Sequence, residues 1–288
     1  MITKKDVYQE IDNLSGLRGM IETYEEIAAS RIKRTRESVL KSRYFLDDLT
    51  LVFGDVKSSY KKEIDALMKK NKVKDPSKIS FFVKNGKTLY VLLSANTGLY
   101  GSIVRDTFNL FMDEYKKEPS DIVIIGRQGL NMYQNELKSK NYVYFDFPDS
   151  DVDSDTLKKI IAYLINYQKI VVFFGKFQSI VTQKPTMSDI SGNPEISGET
   201  QASMKYFFEP SIEKILAFFE QEIFSSIFEQ TVRESQLAKF AARITTLDTS
   251  TENIKRRLGQ MLYEKNKITH AEENKKQQQT FLSMTLWR

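Results

Sequence analysis

The 288-residue chain has no cysteine and a single histidine, His270. The first absence excludes a disulfide framework, a thiolate nucleophile and any cysteine-bound metal. The second leaves no means of building a histidine metal cluster or a Ser-His-Asp triad. Prolines number 6 and glycines 12, so little of the punctuation that divides a sequence into many small elements is present. No apolar run approaches the roughly 18 residues of a membrane-spanning helix. The opening MITKKDVYQEIDNL is charged and helical in pattern, unlike a signal or transit peptide. Nor is there a large excess of one charge. The 43 Lys and Arg against 38 Asp and Glu leave a formal +5, below what a dedicated nucleic-acid binder carries. A soluble, intracellular protein is expected, with no metal or thiol chemistry and no nucleic-acid partner. Its 41% hydrophobic and 28% charged residues are ordinary for a globular chain long enough for one large domain or two smaller ones.

The two ends are one kind of object and the middle another. From about Lys4 to about Lys72 there is no proline, and Val7, Ile11, Leu14, Leu17, Ile21, Tyr24, Ala28 and Ile32 form one helical stripe. After Pro210 there is again no proline, and Gly259 is the only glycine. Ile212, Leu216, Phe219, Ile223 and Ile227 form one stripe there, and Leu237, Phe240, Ile244, Leu247, Ile254, Leu258 and Met261 another. A helix from Ser211 to about Gln279 would be roughly 100 Å long. A compact domain of this size has a radius of gyration of only about 19 Å. Such a helix must find a partner, and the N-terminal helix is the economical one, in an antiparallel pair. Its seam is imperfect, with Ala, Thr and Tyr at many stripe positions, so something outside is expected to enclose it.

Between about Ile79 and Phe208, strand and helix signals alternate. KTLYVLLSA, DIVIIG, YVYFDFP and KIVVFFGKF read as buried strands. SIVRDTFNLFMDEYKK, LNMYQNELKSK and DTLKKIIAYLINYQ read as helices, the last capped by Asp153 or Ser154. That order predicts an open, largely parallel, doubly wound sheet. Ser188 to Met204, with Gly192, Pro194 and Gly198, reads as a loop. The expected fold class is therefore α/β plus a long antiparallel coiled coil. Residues 1–75 and 209–288 are the helices of the shaft, and 76–208 are an inserted Rossmann-like domain.

Candidate chemistry is sparse. Asn96-Thr97-Gly98-Leu99-Tyr100-Gly101 lies between a strand and a helix but matches neither the dinucleotide nor the Walker pattern. Gly126-Arg127-Gln128-Gly129 lies in the equivalent place after the next strand, and both read as plain turns. Arg31, Lys33, Arg34, Arg36, Lys41 and Arg43 set six positive charges against one acid, Glu37. They spread around most of a helix, as a solvated face would, yet they are the densest surface in the chain for an acidic partner. His270 and the Lys275-Lys276 pair read as exposed helix residues. No carboxylate pair stands out for acid–base work, and no catalytic residue is assigned.

Four stretches nonetheless resemble one family. Ile27-Ala28-Ala29-Ser30-Arg31 resembles a Val-Ala-Ala-Ser-Lys pattern, and Ser94-Ala95-Asn96-Thr97-Gly98-Leu99-Tyr100-Gly101 a Ser-Asp-Arg-Gly-Leu-Cys-Gly segment. Phe173-Phe174-Gly175-Lys176-Phe177 with Thr182-Gln183-Lys184-Pro185 resembles a Tyr-Asn-Lys-Phe and Gln-x-Pro strand pair. Phe207-Phe208-Glu209-Pro210 resembles a Tyr-x-Tyr-Glu-Pro turn. Ala241-Ala242-Arg243-Ile244 and Thr251-Glu252-Asn253 then follow in step with Ala-Ala-Arg-Met and Thr-Asp-Asn. In order and spacing these resemble the gamma subunit of F-type rotary ATPases over almost the whole chain. There are departures. Tyr24-Glu25-Glu26 replaces a methionine-rich run, Thr269 and His270 stand at an Arg and a Gln, and Phe281 to Arg288 replace a small-residue ending.

The resemblance implies a non-catalytic shaft transmitting torque between a ring of ATP-binding alpha- and beta-type subunits, which would hold the ATP and Mg, and a rotor. The expected rotor partners are an epsilon-type subunit or other foot partner and a membrane rotor ring. The implied place is peripheral, on the cytoplasmic face of a bacterial membrane, with ATP synthesis or hydrolysis coupled to ion transport. At the tip, Phe281, Leu282, Leu286 and Trp287 would contact the ring. At the foot, Tyr206, Phe207, Phe208 and Glu209 would contact the rotor. The basic cluster from Arg31 to Arg43 would face acidic loops. The departures, with 31 Lys against 12 Arg, also fit the shaft of a specialised F-type-like ATPase of mollicute type that drives surface motility without a standard ion ring.

Overall fold

The computed structural model describes residues 3–59, 84–137, 141–191 and 212–285. Along the chain run α1 (Lys4–Ser59), β1 (Thr88–Leu93), α2 (Ile103–Lys117), β2 (Asp121–Ile125), α3 (Arg127–Glu136), β3 (Val143–Phe145), α4 (Ser154–Leu164), β4 (Lys169–Phe177), β5 (Gln183–Asp189) and α5 (Ile212–Thr285). The predicted strands and helices are all there. Ser188 and Asp189, read as loop, close β5 instead. Residues 60–72 of the first predicted helix and 192–204 of the predicted loop lie outside the described residues. The chain divides into two compact units, one of Met1–Ala29 with Arg243–Arg288, the other of Ser30–Ala242.

In the larger unit the strand order is β3-β2-β1-β4-β5. The first four are parallel, and β5 is antiparallel on the edge of β4. Pro185 sits in this edge strand opposite Gly175, where its missing N–H interrupts no interior ladder. On one face Tyr90, Leu92, Ile122, Ile124 and Phe173 pack against Phe108, Phe111 and Met112 of α2 and Tyr133 of α3. On the other, Leu89, Val91, Val123, Val172 and Phe174 meet Leu157, Ile160 and Leu164 of α4. Phe224, Phe228 and Val232 of α5 join this second layer. With both faces covered, β1, β2 and β4 must be apolar on both sides, which is why they read as continuous hydrophobic runs rather than alternating ones. Asp153 caps α4, accepting from the Thr156 N–H at 3.3 Å.

The N-terminal end of α5 therefore serves as a sheet-covering helix. On its other side it meets α1, with the Phe53 and Phe219 ring centroids 5.5 Å apart. From Ser235 to Ala242 eight successive residues are buried. A helix enclosed around its whole circumference needs small or apolar residues on every side, hence the Ala238, Ala241 and Ala242 content of this stretch. Gln236 and Lys239 are the exceptions.

In the smaller unit the antiparallel pairing is explicit. Lys4 reaches Glu272 at 2.6 Å, Arg257 stands 3.7 Å from Glu10, and the Lys265 ammonium lies 4.7 Å from the Tyr8 ring centroid. Thr3 and Asp6 cap α1 reciprocally, each side chain accepting from the other's N–H at 3.2 and 2.9 Å. Val7 and Ala28 are buried on α1, and Leu247, Ile254 and Met261 on α5. The seven-residue spacing of the α5 set is a coiled-coil seam. The seam is thin, as expected. Met20, Tyr24, Ile27, Leu262 and Tyr263 remain exposed.

Candidate functional site

A doubly wound sheet offers ligands the crevice beyond the carboxyl ends of its strands, at the point where the winding reverses. In this chain that crevice is bounded by the turn after β1 (residues 94–102), the β2–α3 junction and the β3–α4 loop. A phosphate would be met there by backbone N–H groups. Four of those donors are already engaged within the chain. The Asn96 N–H gives 2.9 Å and 3.1 Å bonds to the Asp149 carboxylate, and the Thr97 N–H and hydroxyl give 2.8 and 2.9 Å bonds to its Oδ2. At the start of α3, the Arg127 N–H donates to Asn96 Oδ1 and the Gln128 N–H to the Ala95 carbonyl, both at 2.8 Å. The chain has thus placed its own carboxylate where an anionic ligand would sit.

The countercharge is Lys239. Its ammonium lies 3.2 Å from Asp149 Oδ1, donates to the Ser94 carbonyl at 2.9 Å, and stands 6.0 Å from the Tyr100 ring centroid. Lys239 is 8% exposed and Asp149 9%. Burial alone would raise the Asp149 carboxyl. Lys239 and the Thr97 N–H and hydroxyl together outweigh it and hold the group below its ordinary 3.8. Beside the pair, between Ser94, Phe147, Val232 and Lys239, remains a cavity of 20 Å³, about the size of one water.

The glycines of these turns serve packing. Gly126 has φ +102, and a Cβ there would lie 2.8 Å from the Ala95 nitrogen. A Cβ on Gly129 would lie 2.7 Å from that of Ser94. Both let α3 and the end of β2 close against the end of β1. A larger open groove of 390 Å³, lined by Lys87, Tyr115, Glu118 and Asp121, lies at the amino ends of β1 and β2. That is the wrong end of the sheet for ligand capture in this architecture.

Because Asp149 is held below its ordinary value, the sign of the acid response follows. Its stabilising contribution is complete above about pH 4 and is lost as pH falls through its lowered value. Asp146, whose bonds from Arg127 and Asn96 lower it, and Asp153, lowered by Thr156, act in the same direction. Thermal melts of the full chain should be flat between pH 5 and 7 and fall steeply below pH 4. A melting temperature indifferent to pH 3 would contradict the buried pair.

The basic cluster on α1 divides. Lys33, Arg34, Arg36, Lys41 and Arg43 are exposed and make no ion pair among the described residues. At ~100° per residue they occupy about half the circumference, opposite buried Thr35 and Val39, rather than most of it. Arg31 is different. Its guanidinium Nη1 lies 3.0 and 3.1 Å from the two Asp151 carboxylate oxygens, so its acidic partner is within the chain. Phe281 and Leu282 are exposed. Leu286, Trp287, Tyr206, Phe207, Phe208 and Glu209 lie outside the described residues. His270 is exposed, 3.5 Å from Glu273.

Sequence reasoning passed over Lys239 and Asp149. The signal available was a lysine within Leu237-Ala238-Lys239-Phe240-Ala241-Ala242 with no acid three or four residues away on its own helix, which must therefore find its carboxylate elsewhere.

Comparison with known proteins places this arrangement. The family model described as ATP synthase matches residues 3–272. The chain is 26% identical to the ATP synthase gamma chain of Mesoplasma florum over 264 residues, 88% of this chain and 87% of that one. It is 20% identical to the gamma chain of Pelotomaculum thermopropionicum, over 96% of this chain and 95% of the other. Its fold is similar to the central stalk/c-ring structure of Tetrahymena thermophila mitochondrial ATP synthase (TM-score 0.53, 12% identity, 80% of this chain and 99% of that one). It is also similar to a chain of the OSCP/F1/c-ring structure of the Euglena gracilis enzyme (TM-score 0.51, 14% identity, 89% and 94%). A family match over nearly the whole length, joined to an antiparallel pairing of the chain's two ends and a doubly wound sheet in its middle, shows that the chain belongs to the ATP synthase gamma-chain family, as a central-stalk subunit of a rotary F-type ATPase.

Proposed function

We propose that the chain is the non-catalytic torque carrier of its complex: a helix pair turned by, or turning, a ring of ATP-binding alpha- and beta-type subunits that hold the ATP and Mg. The observation that carries this reading is the closed strand-end crevice. Among the described residues, the strand-end crevice has its Asn96 and Thr97 N–H groups taken by Asp149, itself paired with Lys239, which supports a mechanical role over a nucleotide-binding one. The thin seam of the helix pair adds support. Met20, Tyr24, Ile27 and Tyr263, exposed on the pair, are the kind of apolar surface that an enclosing partner covers. No helix among the described residues is long and apolar enough to cross a membrane. From the similarity to bacterial gamma chains we place the chain peripherally, on the cytoplasmic face of a bacterial membrane, with an epsilon-type subunit and a membrane rotor ring at its foot. Affinity purification at mild salt, with an ATPase assay on the eluate, tests this. Two ATPase-type ring subunits with hydrolysis support it, and recovery without them refutes it. Co-recovery of an ion-translocating ring separates a synthase from a specialised motor.

Two predictions follow the sites. Deleting residues 281–288 should lower coupling of rotation to ATP turnover while leaving assembly intact; a truncated chain with parental coupling refutes a role for the tip. Reversing Lys33, Arg34, Arg36, Lys41 and Arg43 to Glu should weaken assembly at low salt, with the difference shrinking as salt rises beyond about 0.15 M and the Debye length falls below ~8 Å. Assembly indifferent to the reversal would mark the cluster as a solvated face.

A further inference from the structure

The loop between β3 and α4 carries four aspartates, and each holds a different element. Asp146 engages Arg127 Nη2 at 3.0 Å, and Asp153 caps α4. The other two reach the long helices. Asp149 holds Lys239 of α5, and Asp151 holds Arg31 of α1. The Asp151 carbonyl also accepts from Gln236 Nε2 of α5 at 3.4 Å. We propose that this loop is a clamp that fixes the rotational and axial register of both helices against the sheet, with Lys239 the positioning residue through which load on α5 enters the α/β body. The proposal rests on the central-stalk reading, in which these helices carry torque.

Apolar contact alone would hold α5 less well against such a load. Phe224, Phe228 and Val232 press it onto the sheet and resist separation. Packed helices nevertheless shear by small displacements, exchanging one apolar contact for another. The ion pair admits no such exchange. Moving α5 by one residue shifts a side chain ~1.5 Å along and ~100° around the axis. Either movement would strand an ammonium and a carboxylate that are both more than nine-tenths buried, and uncompensated buried charge is heavily penalised. The ammonium also grips the Ser94 carbonyl at the end of β1, so the lock reaches the central strand of the sheet. Arg31–Asp151 is the weaker half, since the Asp151 side chain is 71% exposed and open to screening by salt.

The test uses the full chain assembled with its ring subunits, with a bead attached through an engineered cysteine at Val181, an exposed position in a chain that has no other thiol. The angular spread of the bead is recorded while the motor waits for ATP. Lys239→Met keeps the length and apolar stem of the side chain, and Asp149 retains its bonds from Asn96 and Thr97, so this variant should fold and assemble. A broader angular distribution than the parent's is expected. Asp151→Asn should broaden it less, by an amount that the parent approaches at high salt. Melting temperature falls whether or not the pair positions the helix, whereas angular spread changes only if it does. A parental spread in Lys239→Met overturns the clamp. Should that variant fail to assemble, a parental spread in the double variant Arg31→Gln, Asp151→Asn overturns it instead. A parent chain that rotates with no ring overturns the central-stalk reading first, and the clamp's role with it.

Discussion

Asp149→Ala is expected to lower the melting temperature of the full chain by about 10 °C or more. The substitution removes the carboxylate that pairs with the buried Lys239 ammonium and accepts from the Asn96 and Thr97 N–H groups. Removing one partner of a buried pair costs about 3–5 kcal/mol, and each unsatisfied buried donor about 1–3 kcal/mol more. At about 2–4 °C per kcal/mol for a unit of this size, the shift is large. Asp151→Ala is the control. It removes a carboxylate two residues away whose partner is a half-buried arginine at the surface, a contact worth about 1 kcal/mol or less. Replacing both members together, Asp149→Leu with Lys239→Met, should recover much of the loss, because an apolar pair leaves no buried charge. Equal melting temperatures for Asp149→Ala and Asp151→Ala would contradict the burial assigned to the pair.

Gly126→Ala is expected to destabilise by about 3 kcal/mol or more. Its backbone, at φ +102 and ψ 140, lies where side chains other than hydrogen are strained by about 1–3 kcal/mol. The added methyl would also meet backbone, the Ala95 nitrogen at 2.8 Å, and backbone at the end of a central strand cannot swing aside. Gly98→Ala supplies the comparison. The nearest atom to a Cβ there is Gln128 Nε2 at 3.8 Å, the far end of a flexible side chain in ordinary contact, so its cost should stay below about 1 kcal/mol. Denaturant melts of the two variants decide the matter. A Gly126→Ala chain as stable as Gly98→Ala would mean that the close approach of α3 to β1 is not needed.

How far the sequence carried the fold depends on what each residue had to say locally. The strands buried on both faces announced themselves: TLYVLL, DIVII and KIVVFF are apolar because nothing else fits between two helical layers. Strand β5, QKPTMSD, carries no such mark. It lies on an edge and has a proline inside it, and only its resemblance to a family strand pair pointed to it. The terminal helices were legible from their spacing, but the double duty of α5 was not. A stripe of Leu216, Ile223 and Ile227 looks the same whether the surface opposite is a helix or a sheet. The crevice was least legible of all. Asp149 sits among Asp146, Asp151 and Asp153, four similar acids in a loop, and only the fold tells which of them is buried. The charged cluster on α1 was visible as a count of charges, while the withdrawal of Arg31 from it depended on an aspartate 120 residues away.

The pairing of Lys4 with Glu272 joins positions 268 residues apart. Everything from Ser30 to Ala242 lies between the two halves of the smaller unit, and that stretch is contiguous and can complete its own core during synthesis. The first residues to leave the ribosome are therefore among the last to find their partners. Contacts of such sequence separation form slowly, because chain closure must precede any reward. Until α5 is finished, Val7 and Ala28, buried in the completed chain, have no opposing helix, and apolar surface left uncovered in this way invites aggregation. The nascent chain should accordingly be protease-resistant over its middle well before its N-terminus is protected, and release of the finished chain, rather than formation of the sheet, should set the pace at which assembly-competent protein appears.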